Sequence, residues 1–216
     1  MKQAQYLIYS DGACIGNPGP GGWAAIIREP DGTERVLTGS ATQTTNSRME
    51  LRAALEALRS VPEGKHVHVL LRTDSRYLAD AIGKGWALRW RQQGWRRNRH
   101  ERAENVDLWE QLLAELDRRT VQTEWVKAHN GDPLNERCDA LARKSAEHAT
   151  GTDEGYLQRT TFPRQEQSVS SIGAAVQCTQ LLDGRIAISD GTATVTVDRA
   201  DIPTLVSQLV RMLENR

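Results

Sequence analysis

The chain has 216 residues, 38% of them hydrophobic and 26% charged, with 28 basic and 28 acidic side chains that cancel to zero formal charge. This composition suits a globular protein with a real core, one medium domain plus something extra, and excludes a global field that would draw in phosphate. No apolar run is long enough to cross a bilayer, residues 1–9 lack a signal-peptide pattern, and three cysteines (Cys14, Cys138, Cys178) fit a reducing cytoplasm rather than a disulfide scaffold.

In chain order, residues 5–10 are predicted as a strand that stops at Asp11-Gly12. Two more strands, 21–28 and 34–42, flank the Pro30-Asp31-Gly32 turn. Met49, Leu51, Ala54, Leu55 and Leu58 recur at helical spacing and predict a helix over 48–61. A Val- and Leu-rich strand follows at 66–72, and Asp74-Ser75 leads into a helix. Val106, Leu108, Trp109, Leu112, Leu113 and Leu116 predict a helix over 105–118. Residues 121–127 read as a fifth strand, and 135–149 as a last helix capped by Asn135. The order predicts an α/β domain over 1–148, a mixed sheet with helices packed on it.

Composition then shifts. Residues 149–171, rich in Thr, Ser, Gln, Gly and Glu, show no periodicity and are predicted as a linker. Short strands at 173–182, 185–189 and 193–197, turns at Asp183-Gly184 and Asp190-Gly191, and an amphipathic helix over 202–213 predict a small α+β unit over 172–216. Residues 151–216 hold six arginines, no lysine and eight acidic residues, a charge of −2 that argues against phosphate binding there. The apolar face Ile202, Leu205, Leu209 and Leu213 would close a miniature core or form a homodimer or protein-partner interface.

Four acidic residues occupy similar places in this scheme. Asp11 ends the first strand, Glu50 opens the first helix, Asp74 ends the fourth strand, and Asp139 lies in the first turns of the last helix. Strand ends and helix starts on one side of a sheet converge, which is where open α/β sheets bind ligands. Carboxylates gathered there repel one another unless cations fill the space between them. An all-oxygen donor set suits Mg²⁺ or Mn²⁺, and a pair of such ions suits phosphodiester hydrolysis.

The segments YSDGACIGNPGPGGWA (9–24), TTNSRMEL (44–51), LRTDSRYL (71–78), NVDLW (105–109), EWVKAH (124–129) and NERCDALAR (135–143) resemble type 1 ribonuclease H, in order, over about residues 4–148. The resemblance implies a five-stranded mixed sheet flanked by helices. It also implies endonucleolytic cleavage of the RNA strand of an RNA–DNA hybrid, leaving 5′-phosphate and 3′-hydroxyl ends. Two Mg²⁺ ions would act with substrate, and Mn²⁺ would substitute. By motif, Asp11, Glu50, Asp74 and Asp139 match the catalytic metal ligands. His129 matches a histidine that moves protons or helps product leave, work that suits an imidazole.

Residues 83–102 carry Lys84, Arg89, Arg91, Arg96, Arg97, Arg99 and Arg102 against Glu101 alone, with Trp86, Trp90 and Trp95 interleaved. The resemblance makes this a basic protrusion beside the hybrid. Arg89, Arg96 and Arg97 then meet phosphate, Trp86 lines the DNA-strand channel, and Trp90 and Trp95 pack. Gly12, Asn17, Thr45, Asn46 and Arg76 match further hybrid contacts. Asn17 and Asn46 suit the 2′-hydroxyl, which both donates and accepts. Ser47, Arg76 and Asp132 depart from the family pattern, and Asp132 alters the charge of the histidine loop. A catalytically weak hybrid-binding module and a related DNA nuclease of the same fold are the alternatives. The complete carboxylate set with His129 speaks against the first, and the motif set with the basic hairpin against the second.

Overall fold

Period-two alternation in the first strands decides how the domain is layered. In this computed structural model, which describes residues 4–161 and three further strands at 177–180, 186–189 and 194–197, β1 spans Tyr6–Cys14 and β2 spans Gly19–Arg28. Ile8, Ala25 and Ile27 point to one face of the sheet, while Tyr9, Ala24 and Ile26 point to the other. Both faces are therefore buried, and both must be covered by helices.

β3 (Glu34–Thr44), β4 (His68–Thr73) and β5 (Thr120–Trp125) complete a sheet of order β3-β2-β1-β4-β5. β1 pairs antiparallel with β2 and parallel with β4, β2 pairs antiparallel with β3, and β4 pairs parallel with β5. One face carries α1 (Asn46–Arg59), α2 (Arg76–Gly83), α3 (Trp86–Gln92) and α4 (Val106–Arg118), whose apolar stripes join Ile8 and Ile27 in the larger core. Leu51, Leu55 and Leu58 of α1 are wholly buried there, and each contributes about 1.5–3 kcal/mol. Tyr77, Trp90 and Trp109 form an aromatic cluster in which the Trp109 indole N–H donates to the Tyr77 hydroxyl at 2.8 Å. Among the described residues, the other face is covered by α5 (Pro133–Glu147), packed through Cys138 and Ala142. Gly22 of β2 permits that approach, because a β-carbon there would collide with the Ala142 carbonyl and the Ala146 amide.

Several sequence-based boundaries move. β1 does not stop at Asp11-Gly12; its pairing with β2 continues through Cys14 opposite Gly21, so Asp11 lies inside a strand. Asn135 does not cap α5. The cap is Asp132, whose carboxylate accepts the Leu134 and Asn135 amides, with Pro133 in the first turn. The predicted linker also begins too early. Residues 154–161 form α6, and the Thr42 amide donates to the Gly151 carbonyl.

The reason is a buried charge. Arg48 of α1 has a side chain only 1% exposed, and its guanidinium pairs with Asp107 of α4 and with Asp153, each at 2.6 Å. Thr44 adds a 2.6 Å hydrogen bond to Asp153. Burial works against ionised Asp153, but the Arg48 and Thr44 hydrogen bonds and the Arg48 charge outweigh it and hold the carboxyl below its usual range. Residues beyond 150 thus supply a counter-ion that the core requires.

Two compact units divide the chain, Met1–Pro163 and Arg164–Arg216. Within the second, β6 (Gln177–Gln180), β7 (Ile186–Ser189) and β8 (Thr194–Val197) form an antiparallel sheet in that order. The predicted 202–213 helix, its apolar face and the two Asp-Gly turns lie outside the described residues.

Removing Asp153 leaves the buried Arg48 guanidinium with Asp107 alone as counter-ion among the described residues, and its Nε without an acceptor. Asp153→Ala is therefore expected to cost about 3 kcal/mol in urea unfolding at neutral pH. Arg28→Ala, which breaks an exposed pair with Glu34, should leave stability nearly unchanged. Because the Asp153 pKa is lowered by folding, its contribution is present above the unfolded value of about 3.9 and lost as pH falls through the lower folded value. Equal losses in the two variants would refute the role given to Asp153.

Candidate active site

Three chain segments deliver carboxylates to one place. Asp11 comes from β1, Glu50 from the second turn of α1, and Asp74 from the residue after β4. β1 lies between β2 and β4 at the point where pairing changes from antiparallel to parallel. Gly12 sets the depth of the cluster: a β-carbon there would strike the backbone at Met49 and Glu50, so its hydrogen lets α1 close against β1. That packing accounts for the glycine without any ligand.

One carboxylate oxygen from each of Asp11, Glu50 and Asp74 lies within 4.8 Å of the others. Asp11 is 4% exposed and Glu50 6%. Asp11 Oδ1 accepts the Gly12 amide at 2.7 Å, and Glu50 Oε1 accepts from Asn46 Nδ2 at 3.4 Å. Asp11 Oδ2 and Glu50 Oε2 are buried and have no hydrogen-bond partner among the described residues. Burial, then the charges of Asp74 and Asp139, push Asp11 up to about 7. Burial, then the charges of Asp11 and Asp74, hold Glu50 well above the usual carboxylate range. Orphaned buried oxygens within one carboxylate cluster are expensive for a protein alone and are what a hard divalent cation requires. The donor set therefore fits such an ion.

These carboxylates line a cavity of about 450 Å³ together with Gly12, Asn46, His129 and Asp139. Asp139 faces this space but its carboxylate pairs with Arg143 at 2.8 Å, one turn along α5, so it stands apart from the close triad. His129 is exposed, in a left-handed conformation (φ 52°), on the loop between β5 and α5.

The hybrid-contact candidates divide by location. Asn17 Oδ1 accepts the Asn46 amide at 3.0 Å, which links Asn17 through Asn46 to Glu50. Thr45 stands at the N-cap of α1 with no side-chain capping bond. The Arg76 guanidinium lies 3.7 Å from the centre of the Trp125 ring, and the Trp125 indole donates to the Asp74 carbonyl at 3.0 Å. Trp86, Arg89 and Arg97 line a second cavity of about 420 Å³. Arg96 bridges to Arg102 across the loop between α3 and α4. Trp90 and Trp95 are core residues. Arg91 pairs with Asp117, so that cation of the protrusion is spoken for within the fold.

Sequence reasoning missed Asn135 as a site residue. It is 3% exposed, its Nδ2 donates to Asp74 Oδ2 at 3.3 Å, and its Oδ1 is a buried orphan. Its place four residues before Asp139, on the same helix face, was the available signal. Tyr9, two residues before Asp11, was likewise given no role of its own.

A family model described as RNase H matches residues 3–147. Ribonuclease HI of Synechocystis sp. is 47% identical over 150 residues, which cover 69% of this chain and 92% of that protein. Ribonuclease H of Escherichia coli is 46% identical over 156 residues, which cover 72% and 97%. Among solved structures, LC9-RNase H1, a type 1 RNase H with the type 2 active-site motif, aligns with a TM-score of 0.60 at 29% identity, covering 76% of this chain and 85% of that one.

The raised pKa of Asp11 fixes a sign for its replacement. Ionising this residue opposes folding; the penalty is absent below its unfolded value of about 3.9 and complete above the folded value of about 7. In chelator, Asp11→Asn is expected to stabilise the protein by about 1–3 kcal/mol near pH 8, with the gain vanishing near pH 4. Urea titration at both pH values measures it, and a destabilised variant near pH 8 would refute the repulsion.

Proposed function

The chain belongs to the ribonuclease H family, and we infer from that membership and from the carboxylate cluster that it is an endoribonuclease hydrolysing the RNA strand of RNA–DNA hybrids. The observation that carries the reading is the pair of buried, unpartnered oxygens on Asp11 and Glu50 beside Asp74. Mg²⁺ is the metal such oxygens suit best, with Mn²⁺ as a substitute. Asp11, Glu50 and Asp74 would hold two ions with substrate, Asp139 joining them once its carboxylate turns from Arg143. When bound, the metal supplies an activated water and charge neutralisation at the scissile phosphate, giving 5′-phosphate and 3′-hydroxyl ends.

The chain's own residues do the rest. Glu50 and Asp11 stay fixed because β1 and α1 are locked by the core, so the cluster needs no rearrangement to meet a phosphate. His129, on its exposed loop, transfers a proton at the leaving 3′-oxygen or helps product depart. Asn17 and Asn46, joined to Glu50 by hydrogen bonds through Asn46, meet the hybrid at the cavity rim with the neighbouring Thr45, where an amide senses a 2′-hydroxyl. Gly12 lets that rim stay narrow. Arg89 and Arg97, with Trp86 and the nearby Arg96, offer phosphate contacts and an aromatic wall for the DNA strand. Arg76, its guanidinium over the Trp125 ring, adds a cation beside Asp74.

Cys14 and Cys138 are free thiols, in keeping with a cytoplasmic setting. Among the described residues no helix is long and apolar enough to cross a membrane. Residues 172–216 carry four arginines against five acidic residues, a formal charge of −1, which suits a protein-partner or homodimer surface better than contact with hybrid phosphates.

With Mg²⁺, labelled hybrid should be cut in its RNA strand alone, and duplex RNA and duplex DNA should survive. Equal cutting of duplex DNA would defeat the assignment. Asp11→Asn should abolish turnover while hybrid binding persists, checked by gel shift; wild-type turnover would remove Asp11 from the site. Ending the chain at Pro163 should leave hybrid cleavage intact and alter only self-association or partner binding. Ending it at 150 removes Asp153 and should destabilise the domain. Loss of cleavage in the longer truncate would tie the second unit to catalysis.

A further inference from the structure

Tyr9 and Arg72 are register partners on β1 and β4, each two residues before a metal-site carboxylate, Asp11 or Asp74. Period two places them on the same sheet face, the one covered by α5. The Arg72 guanidinium donates to the Tyr9 hydroxyl at 2.7 Å, and that hydroxyl donates to Asp132 Oδ2 at 2.9 Å. A second Arg72 nitrogen donates to Glu124 Oε2 at 3.0 Å. Asp132 is at once the cap of α5 and the end of the loop that carries His129. Its two oxygens divide the work: Oδ1 takes the helix amides, and Oδ2 takes Tyr9.

A buried phenol needs one partner; this one uses both capacities, in a fixed direction, from Arg72 to Asp132. Capping alone would occupy only one carboxylate oxygen. The remaining bond therefore does something besides ending a helix. Between His129 and Asp132 lie Asn130 and Gly131, with Gly131 in a left-handed conformation (φ 81°) and its amide bonded to Glu136. Three residues span at most about 10 Å, so an anchored Asp132 limits where His129 can go.

We propose that the chain Arg72–Tyr9–Asp132 is a brace that positions His129 over the carboxylate cavity, with Tyr9 and Asp132 as positioning residues for hybrid cleavage. The proposal rests on the hydrolase reading and on the part His129 plays in it. Phenylalanine at position 9 keeps the buried ring and removes only the hydroxyl. Serine at position 132 keeps a capping acceptor but is too short to reach Tyr9.

The test is steady-state cleavage of a defined hybrid by the full chain, with circular dichroism as a check of folding. Tyr9→Phe should lower kcat about 3- to 10-fold with KM unchanged, the size expected of a displaced catalytic group. Asp132→Ser should do the same, and the double variant should be no slower than either single one, because both remove one interaction. In a His129→Ala background, Tyr9→Phe should add no further loss. Wild-type kcat for Tyr9→Phe overturns the proposal, as do losses that multiply in the double variant or in the His129→Ala background. A His129→Ala protein with full turnover overturns the proposed role of His129 itself, and the brace with it; a slow His129→Ala protein with an unaffected Tyr9→Phe overturns the brace alone.

Discussion

Negative charge that cannot escape governs this molecule. Asp11 and Glu50 are almost wholly buried, one oxygen of each lacks a partner among the described residues, and Asp74 adds a third carboxylate within 4.8 Å. Left alone, such a group opposes the fold that creates it, and protonation is its only internal relief. The fold sustains the strain because the elements bearing the carboxylates are held by something stronger. β1 is the central strand of the sheet, and α1 presents wholly buried leucines to the core. The apolar side chains of one end of α1 thus hold the charged side chain of its other end where water cannot compensate it.

The same helix carries the opposite solution to the same problem. Arg48 is as buried as Glu50 and lies two residues away, yet it is answered by Asp107 and Asp153. A paired charge fastens α1 to α4 and draws in the chain beyond 150; an unpaired one waits for a cation. Buried charge in this domain is structural where its partners are protein, and fit to hold a cation where they are missing.

The two faces of the sheet divide labour in a related way. Four helices bury the large core on one face, whereas among the described residues α5 covers the other, through Cys138 and Ala142. That thin layer brings Asn135, Asp139 and the His129 loop next to strand ends fixed from the far side. What α5 lacks in apolar area it makes up with polar fastenings: Asp132 to Tyr9, Asn135 to Asp74, and Cys138 to the backbone of β1 and β2. The components that must meet a substrate are thereby tied by directional bonds, and the components that must not move are tied by packing.

Most of this architecture was legible beforehand. Helical spacing in Met49 to Leu58 and in Val106 to Leu116 placed α1 and α4, and the motifs around Asp11, Glu50, Asp74 and His129 named the residues that line one cavity, because periodicity and local chemistry are properties of neighbouring residues. Three things were not legible, since each depends on residues distant in sequence. Asp153, in a stretch with the composition of a linker, is a core counter-ion only because Arg48 lies 105 positions earlier and is buried. Asn135 is a partner of Asp74 rather than a cap, because Asp132 takes the helix amides first. Asp139 shares the cavity yet turns to Arg143, a choice made by side-chain geometry within a turn. Sequence alone determined which groups could do chemistry and which segments would be regular; tertiary structure decided which charges are answered, because Coulomb forces and hydrogen bonds act over a few ångströms of space and take no account of separation along the chain.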